Sequence, residues 1–189
     1  KKGVAIDRFL SNIITNKKVN VNDLLVGDRN ALVVAARITG YGNEYETNVT
    51  CPSCLEQTRY TFDLNTMSII AGGENSEIGL SQTSASTFSI RTPKTNVDVE
   101  FRLAYGTDEK RLSRTTSQKK KHGLPEATLT DQLKMFIMSV NGDNSAASVS
   151  VFVDNMPAAD SRFLRSAFKE ATPNIDLTQE FECSKCGHE

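Results

Sequence analysis

Cys51-Pro52-Ser53-Cys54 and Cys183-Ser184-Lys185-Cys186 decide the reading of this chain. Two residues separate the cysteines in each pair. That spacing lets one tight turn present both sulfurs to a single tetrahedral ion, with Zn–S near ~2.3 Å. Pro52 fixes a backbone dihedral in the first turn. Gly187 suits the positive φ that ends the second. Residues 55–182, a span of 128 residues, lie between the pairs. A compact zinc finger is far shorter. A shared ion would therefore clasp two distant segments and close a long loop.

Four cysteines allow other chemistry. A thioredoxin-type pair follows a strand and opens a helix, whereas the first pair here lies between two strand-like runs, Glu44–Thr50 and Gln57–Leu64. Disulfides require maturation outside a reducing cytosol. An iron–sulfur cluster also uses four cysteines. The expectation is one structural zinc on Cys51, Cys54, Cys183 and Cys186. Four thiolates leave no open coordination position, so such a site would not support metal-assisted hydrolysis. His188 is expected to be exposed or to sit beside the ligands.

Outward from the cysteines, the pattern alternates helices with short strands. Val4–Thr15 carries Ile6, Phe9, Leu10, Ile13 and Ile14 at helical spacing. Asp28 is expected to cap a helix that runs to about Thr39, ended by Gly40-Tyr41-Gly42. Leu177–Glu182 reads as a strand entering the second cysteine turn. Ala71–Ser86 is rich in Gly, Ser, Thr and Asn and reads as a flexible loop. Thr87–Arg91 and Val97–Leu103 alternate as a second hairpin, turned at Pro93–Asn96. Leu129–Val140 has the spacing of an amphipathic helix. Val149–Val153 fits helix or strand equally. Pro157 opens a helix to about Ala171. The fold class is α+β: about five helices and two small antiparallel β-hairpins, closed by a four-cysteine zinc knuckle pair. One zinc-stabilised domain is expected over residues 1–189.

The chain is 38% hydrophobic and 24% charged, a balance that suits a packed core and argues against wholesale disorder. Its net charge of −1 provides no global field toward nucleic acid or anionic membrane. No apolar run approaches the roughly 18–20 residues of a membrane span, and Lys1–Leu10 lacks a secretory apolar stretch. Cytosolic synthesis is the default expectation. The lysine start, and an end three residues after Cys186, suggest a longer product that is trimmed, or disordered, at one or both ends.

The sequence contains no GxSxG, HExxH, phosphate-loop or dinucleotide-binding motif. The two histidines, His122 and His188, lie far apart in sequence. Catalysis is therefore not expected. Thr107–Lys121 collects Lys110, Arg111, Arg114, Lys119, Lys120 and Lys121. A solvated helix face or loop is the plain reading. A polyanion-binding surface is the sharper one, though no aromatic side chains interleave with the charges.

Specific strings go further. Leu24-Leu25-Val26-Gly27-Asp28-Arg29-Asn30-Ala31 leads into Ala35-Ala36-Arg37-Ile38-Thr39-Gly40-Tyr41-Gly42. Tyr45, Cys51-Pro52-Ser53-Cys54 and Phe62-Asp63-Leu64 follow, and later Val151–Arg165 and Cys183–His188. This order resembles the baseplate hub protein family of T-even-like contractile-tailed bacteriophages. The resemblance implies a non-enzymatic structural or tail-assembly role in the hub of the baseplate. It implies other phage baseplate or tail proteins as partners, with no small-molecule substrate, no membrane insertion and little call for nucleic acid. The implied location is the virion, reached through assembly in the host cytoplasm. The alternative drawn from the residues alone is a zinc-ribbon-containing nucleic-acid-binding protein that uses the basic segment. A redox or metal enzyme ranks behind both.

Overall fold

Alternation along two neighbouring strands builds the centre of the molecule. A computed structural model describes residues 2–122 and 128–188. Strands β5 (Thr87–Arg91) and β6 (Asp98–Arg102) pair antiparallel, with Phe88 opposite Phe101 and Ile90 opposite Val99. All four side chains are buried on one face of the sheet. The predicted second hairpin is thus present, but it is the middle of a four-stranded antiparallel sheet. β4 (Ser81–Ser84) flanks β5, and β7 (Ile137–Val140) flanks β6. β4 lies inside the stretch read as a flexible loop, and Leu80 just before it is buried in the core.

Helices cover the apolar face. α4 (Thr128–Phe136) leads directly into β7, and α5 (Ala146–Asn155) and α6 (Ala158–Ala171) follow. Val149, Val153, Leu164, Ala167 and Ala171 complete the core. Phe168 packs on Phe101 and Phe136, with ring centroids 5.8 and 5.1 Å away. Each large side chain buried in this way contributes about 1.5–3 kcal/mol.

One long helix was expected over Leu129–Val140. The chain instead changes to a strand at Ile137. Leu133, Phe136, Ile137 and Val140 satisfy helical spacing, but β6 offers a free edge. Pairing Val140 with Val99 and Ile137 with Phe101 buries both side chains in the sheet. Tertiary pairing has overridden the local period. Val149–Val153, open between two readings, is helical.

The turn between β5 and β6 is held by Asp160 in the first turn of α6. Its fully buried carboxylate accepts from the Lys94 and Thr95 amides at 2.9 and 3.0 Å and from the Thr95 hydroxyl at 2.7 Å. Burial pushes its pKa up, and these donors more than offset it, so the group is held below the usual carboxylate range.

The N-terminal helices flank this body. α1 (Lys2–Ile13) packs beside α2 (Val26–Tyr41). α2 begins two residues before Asp28, with Leu25 at its cap, so Asp28 lies in the first turn instead of capping. The start is fixed from outside: the Val26 amide donates to the Ala104 carbonyl at 3.0 Å, and Leu25 bridges to Tyr105. Asp28 there still favours the helix through its dipole. α3 (Gly106–Lys121) carries the basic segment. Buried Arg29 ties the three helices, 2.6 Å from Asp7 and 3.1 Å from Glu109. Gly106 leaves room for it, since a Cβ there would lie 1.9 Å from the guanidinium.

The described residues hold six α-helices, more than the five expected, and their sheets are small and antiparallel. No helix among them is long and apolar enough to cross a membrane. The expected domain span 1–189 includes residues 1, 123–127 and 189, which lie outside the described residues.

Candidate metal centre

β1 (Glu44–Thr50) and β2 (Gln57–Asp63) form the hairpin that the sequence predicts, in register from Glu44–Asp63 to Thr50–Gln57. Its tip is the first cysteine turn. The chain returns to this hairpin more than a hundred residues later. β3 (Ser68–Ile70) pairs with β8 (Asn174–Asp176), which directs the C-terminal segment back along the hairpin. Phe181 then meets Tyr60 edge-on at 5.3 Å, and Tyr60 packs on Phe62 at 4.8 Å. Leu177–Glu182, expected as a strand, joins no sheet; the strand lies just upstream, in β8. There Asn174–Asp176 meets β3, a partner that local composition did not reveal.

The two cysteine turns are built alike. The Cys51 amide donates to the Glu56 carbonyl at 2.9 Å, and the Cys51 carbonyl accepts from the Leu55 amide at 2.9 Å. The Cys183 amide donates to the His188 carbonyl at 2.9 Å, and the Cys183 carbonyl accepts from the Gly187 amide at 2.8 Å. The residue after each second cysteine is left-handed, with φ of 58° at Leu55 and 66° at Gly187. Gly187 adopts this freely, whereas Leu55 is strained. Sequence reasoning found Gly187 and missed Leu55; superposing the two motifs position by position would have exposed it.

The four sulfurs converge. All lie within 4.8 Å of one another, with Cys51 Sγ 3.6 Å from Cys186 Sγ and Cys54 Sγ 3.7 Å from Cys183 Sγ. Ligands at ~2.3 Å in a tetrahedron stand roughly 3.8 Å apart, so these spacings fit one ion. A disulfide requires about 2.05 Å, and all four cysteines are free. Cys51 and Cys183 are buried, Cys54 is half-buried and Cys186 is exposed. The Cys54 amide, more than the opposing burial, draws the Cys51 pKa down to about 6, with help from Ser53 and Cys186. At Cys54 the Glu56 amide acts downward, but burial and the three neighbouring sulfurs push the pKa up to about 12. Four thiols packed this closely resist joint ionisation unless a cation neutralises them. A divalent ion on all four would be closed to substrate and would act as a structural tie.

Lys185 joins the two turns through Glu56, 2.5 Å away. His188 is exposed and contributes its backbone carbonyl, while His122 sits in the turn after α3. Among the described residues, neither histidine side chain hydrogen-bonds a carboxylate. An apolar cavity of about 320 Å³ opens between α3, α4 and α6, lined by Phe101, Leu112, Leu133, Phe136, Leu164 and Phe168. Glu109 and Arg165 stand at it, without a paired nucleophile and base.

Comparisons with curated proteins and with solved structures find no match. A family model described as "T4 bacteriophage base plate protein" matches residues 2–189. The match runs from α1 through both cysteine turns. The chain therefore belongs to the T4 bacteriophage base plate protein family, whose place is in the phage tail among other tail proteins.

Proposed function

We propose that this chain is a non-catalytic structural or assembly component of the hub region of a contractile-tail baseplate, held in shape by one zinc ion on Cys51, Cys54, Cys183 and Cys186. The family match over residues 2–189 carries the baseplate role. The convergence of four sulfurs from two turns separated by residues 55–182 supports the metal. In this reading residues 1–189 act as one domain. The zinc supplies no reaction; it fixes the hairpin and the C-terminal segment against each other. Assembly takes place in the host cytoplasm, against other baseplate proteins, and the product resides in the virion.

Co-sedimentation tests the role. The tagged chain should travel with baseplate or tail particles from infected cells and withstand nuclease treatment. Recovery only with nucleic acid, lost on nuclease treatment, would reject it and favour the nucleic-acid reading.

A further inference from the structure

The chain is close to neutral, yet its charge is segregated between two surfaces. α3 holds six cations and two carboxylates, a net +4 in sixteen residues. Lys110 pairs with Asp7 and Lys119 with Asp131. Asp108 and Glu109 are taken by Arg102 and Arg29. Arg111, Arg114, Lys120 and Lys121 pair with no carboxylate among the described residues. Arg111, Arg114 and Lys121 share one exposed face, spaced over about 15 Å of helix.

The cysteine lobe, residues 44–63 and 174–188, has the opposite balance. Seven carboxylates face two cations there, a net −5. Arg59 pairs with Glu46 and Lys185 with Glu56. Glu44, Asp63, Asp176, Glu180 and Glu182 remain outside any ion pair among the described residues. The hairpin register sets Glu44 directly opposite Asp63. Like charges across a strand pair destabilise an isolated hairpin. A cationic surface laid over this pair would remove that penalty.

We infer that the acidic cysteine lobe of one copy docks on the basic face of α3 of a second copy, giving a head-to-tail contact. The surfaces are different patches of one chain, so the contact is heterologous and repeats into a ring or a row. Three unpaired cations on one helix face meet unpaired carboxylates of the lobe. The basic face lacks the aromatic platforms that stack single-stranded nucleic acid, and the matching anions are on the chain itself. The inference builds on the assembly role but separates from it: a chain that self-associates without joining a tail would keep one and lose the other.

Sedimentation velocity of the full chain tests it. Self-association should weaken about tenfold or more between about 50 and 300 mM salt, as the Debye length shortens. Arg111→Glu, Arg114→Glu and Lys121→Glu together should abolish it. Glu44→Lys, Glu180→Lys and Glu182→Lys together should do the same. Mixing the two reversed variants should restore a complex between them. Far-UV spectra and melting curves confirm that each variant is folded. A wild type that stays monomeric at low salt would overturn the inference. So would reversed variants that associate like wild type, or fail to recover on mixing. Salt-sensitive binding of duplex DNA without self-association would overturn it in favour of a nucleic-acid surface.

Discussion

The body of the molecule and its cysteine lobe are held by different forces. The body buries thirteen apolar side chains in one cluster, all from residues 80–171. In the lobe, Cys51 and Cys183 are the only apolar residues that reach full burial among those described. Its hairpin keeps exposed or half-exposed positions along both strands. Three aromatic rings and one exposed ion pair across the cysteine turns are a thin hold on such a structure. A two-stranded hairpin is marginal in water. The body therefore folds by hydrophobic burial, and the lobe has no comparable core of its own. Sequence separation sharpens the contrast, because the two cysteine turns of the lobe lie on either side of residues 55–182.

The largest expected effect comes from breaking the lobe. Cys51→Ser should abolish tight metal binding, where structural zinc in small peptides contributes roughly 10–16 kcal/mol. Hydrogen exchange should show residues 44–63 and 177–188 losing protection while residues 80–171 keep theirs. The mirror experiment strikes the body. Phe101 stacks against Phe88 at 5.9 Å and touches Phe168. Phe101→Ala should lower stability by about 3–5 kcal/mol in denaturant unfolding, with metal content unchanged.

Asp160 provides a smaller probe of the body. Asp160→Ala strands the Lys94 and Thr95 donors and should cost about 2–4 kcal/mol. The pH sign follows from its lowered pKa. Its contribution is present above the unfolded value near ~3.9 and is lost as pH falls through the folded value. Urea midpoints should thus fall more steeply below pH ~4 for wild type than for Asp160→Asn. The smallest effect probes the lobe's strain. Leu55→Gly relieves a left-handed leucine and should leave metal content intact while changing stability by no more than about 1 kcal/mol, in the stabilising direction. A large loss would mean that the exposed Leu55 side chain makes a contact the fold needs.

The two regions were unequally legible in sequence. The lobe's hairpin could be placed almost to the residue, because alternation and the cysteine turn agree on one register. The convergence of its sulfurs followed from spacing alone. The body was harder. Phe88, Ile90, Val99 and Phe101 announced their hairpin by period, but β4 and β7 are strands only because β5 and β6 have edges to fill. Nothing local in Ile137–Val140 distinguishes the end of a helix from a strand. Asp160 looked like any carboxylate near a helix start, since its donors lie 65 residues away in a turn. The Leu24–Ala31 string carried the family resemblance without showing its cause. The structure supplies part of one: a Cβ at Gly27 would sit 1.7 Å from the Pro173 carbonyl, at the point where the chain turns toward the lobe. Arg29, two residues on, is the buried tie between helices.

The central claim is that one metal ion holds the hairpin tip and the C-terminal segment together. Elemental analysis of the purified chain, before and after chelation, with hydrogen exchange read on both samples, tests it most directly. The account predicts about one zinc per chain, and selective loss of protection in residues 44–63 and 177–188 when it is removed. A chain purified without metal, whose lobe is as protected as its body, would contradict it.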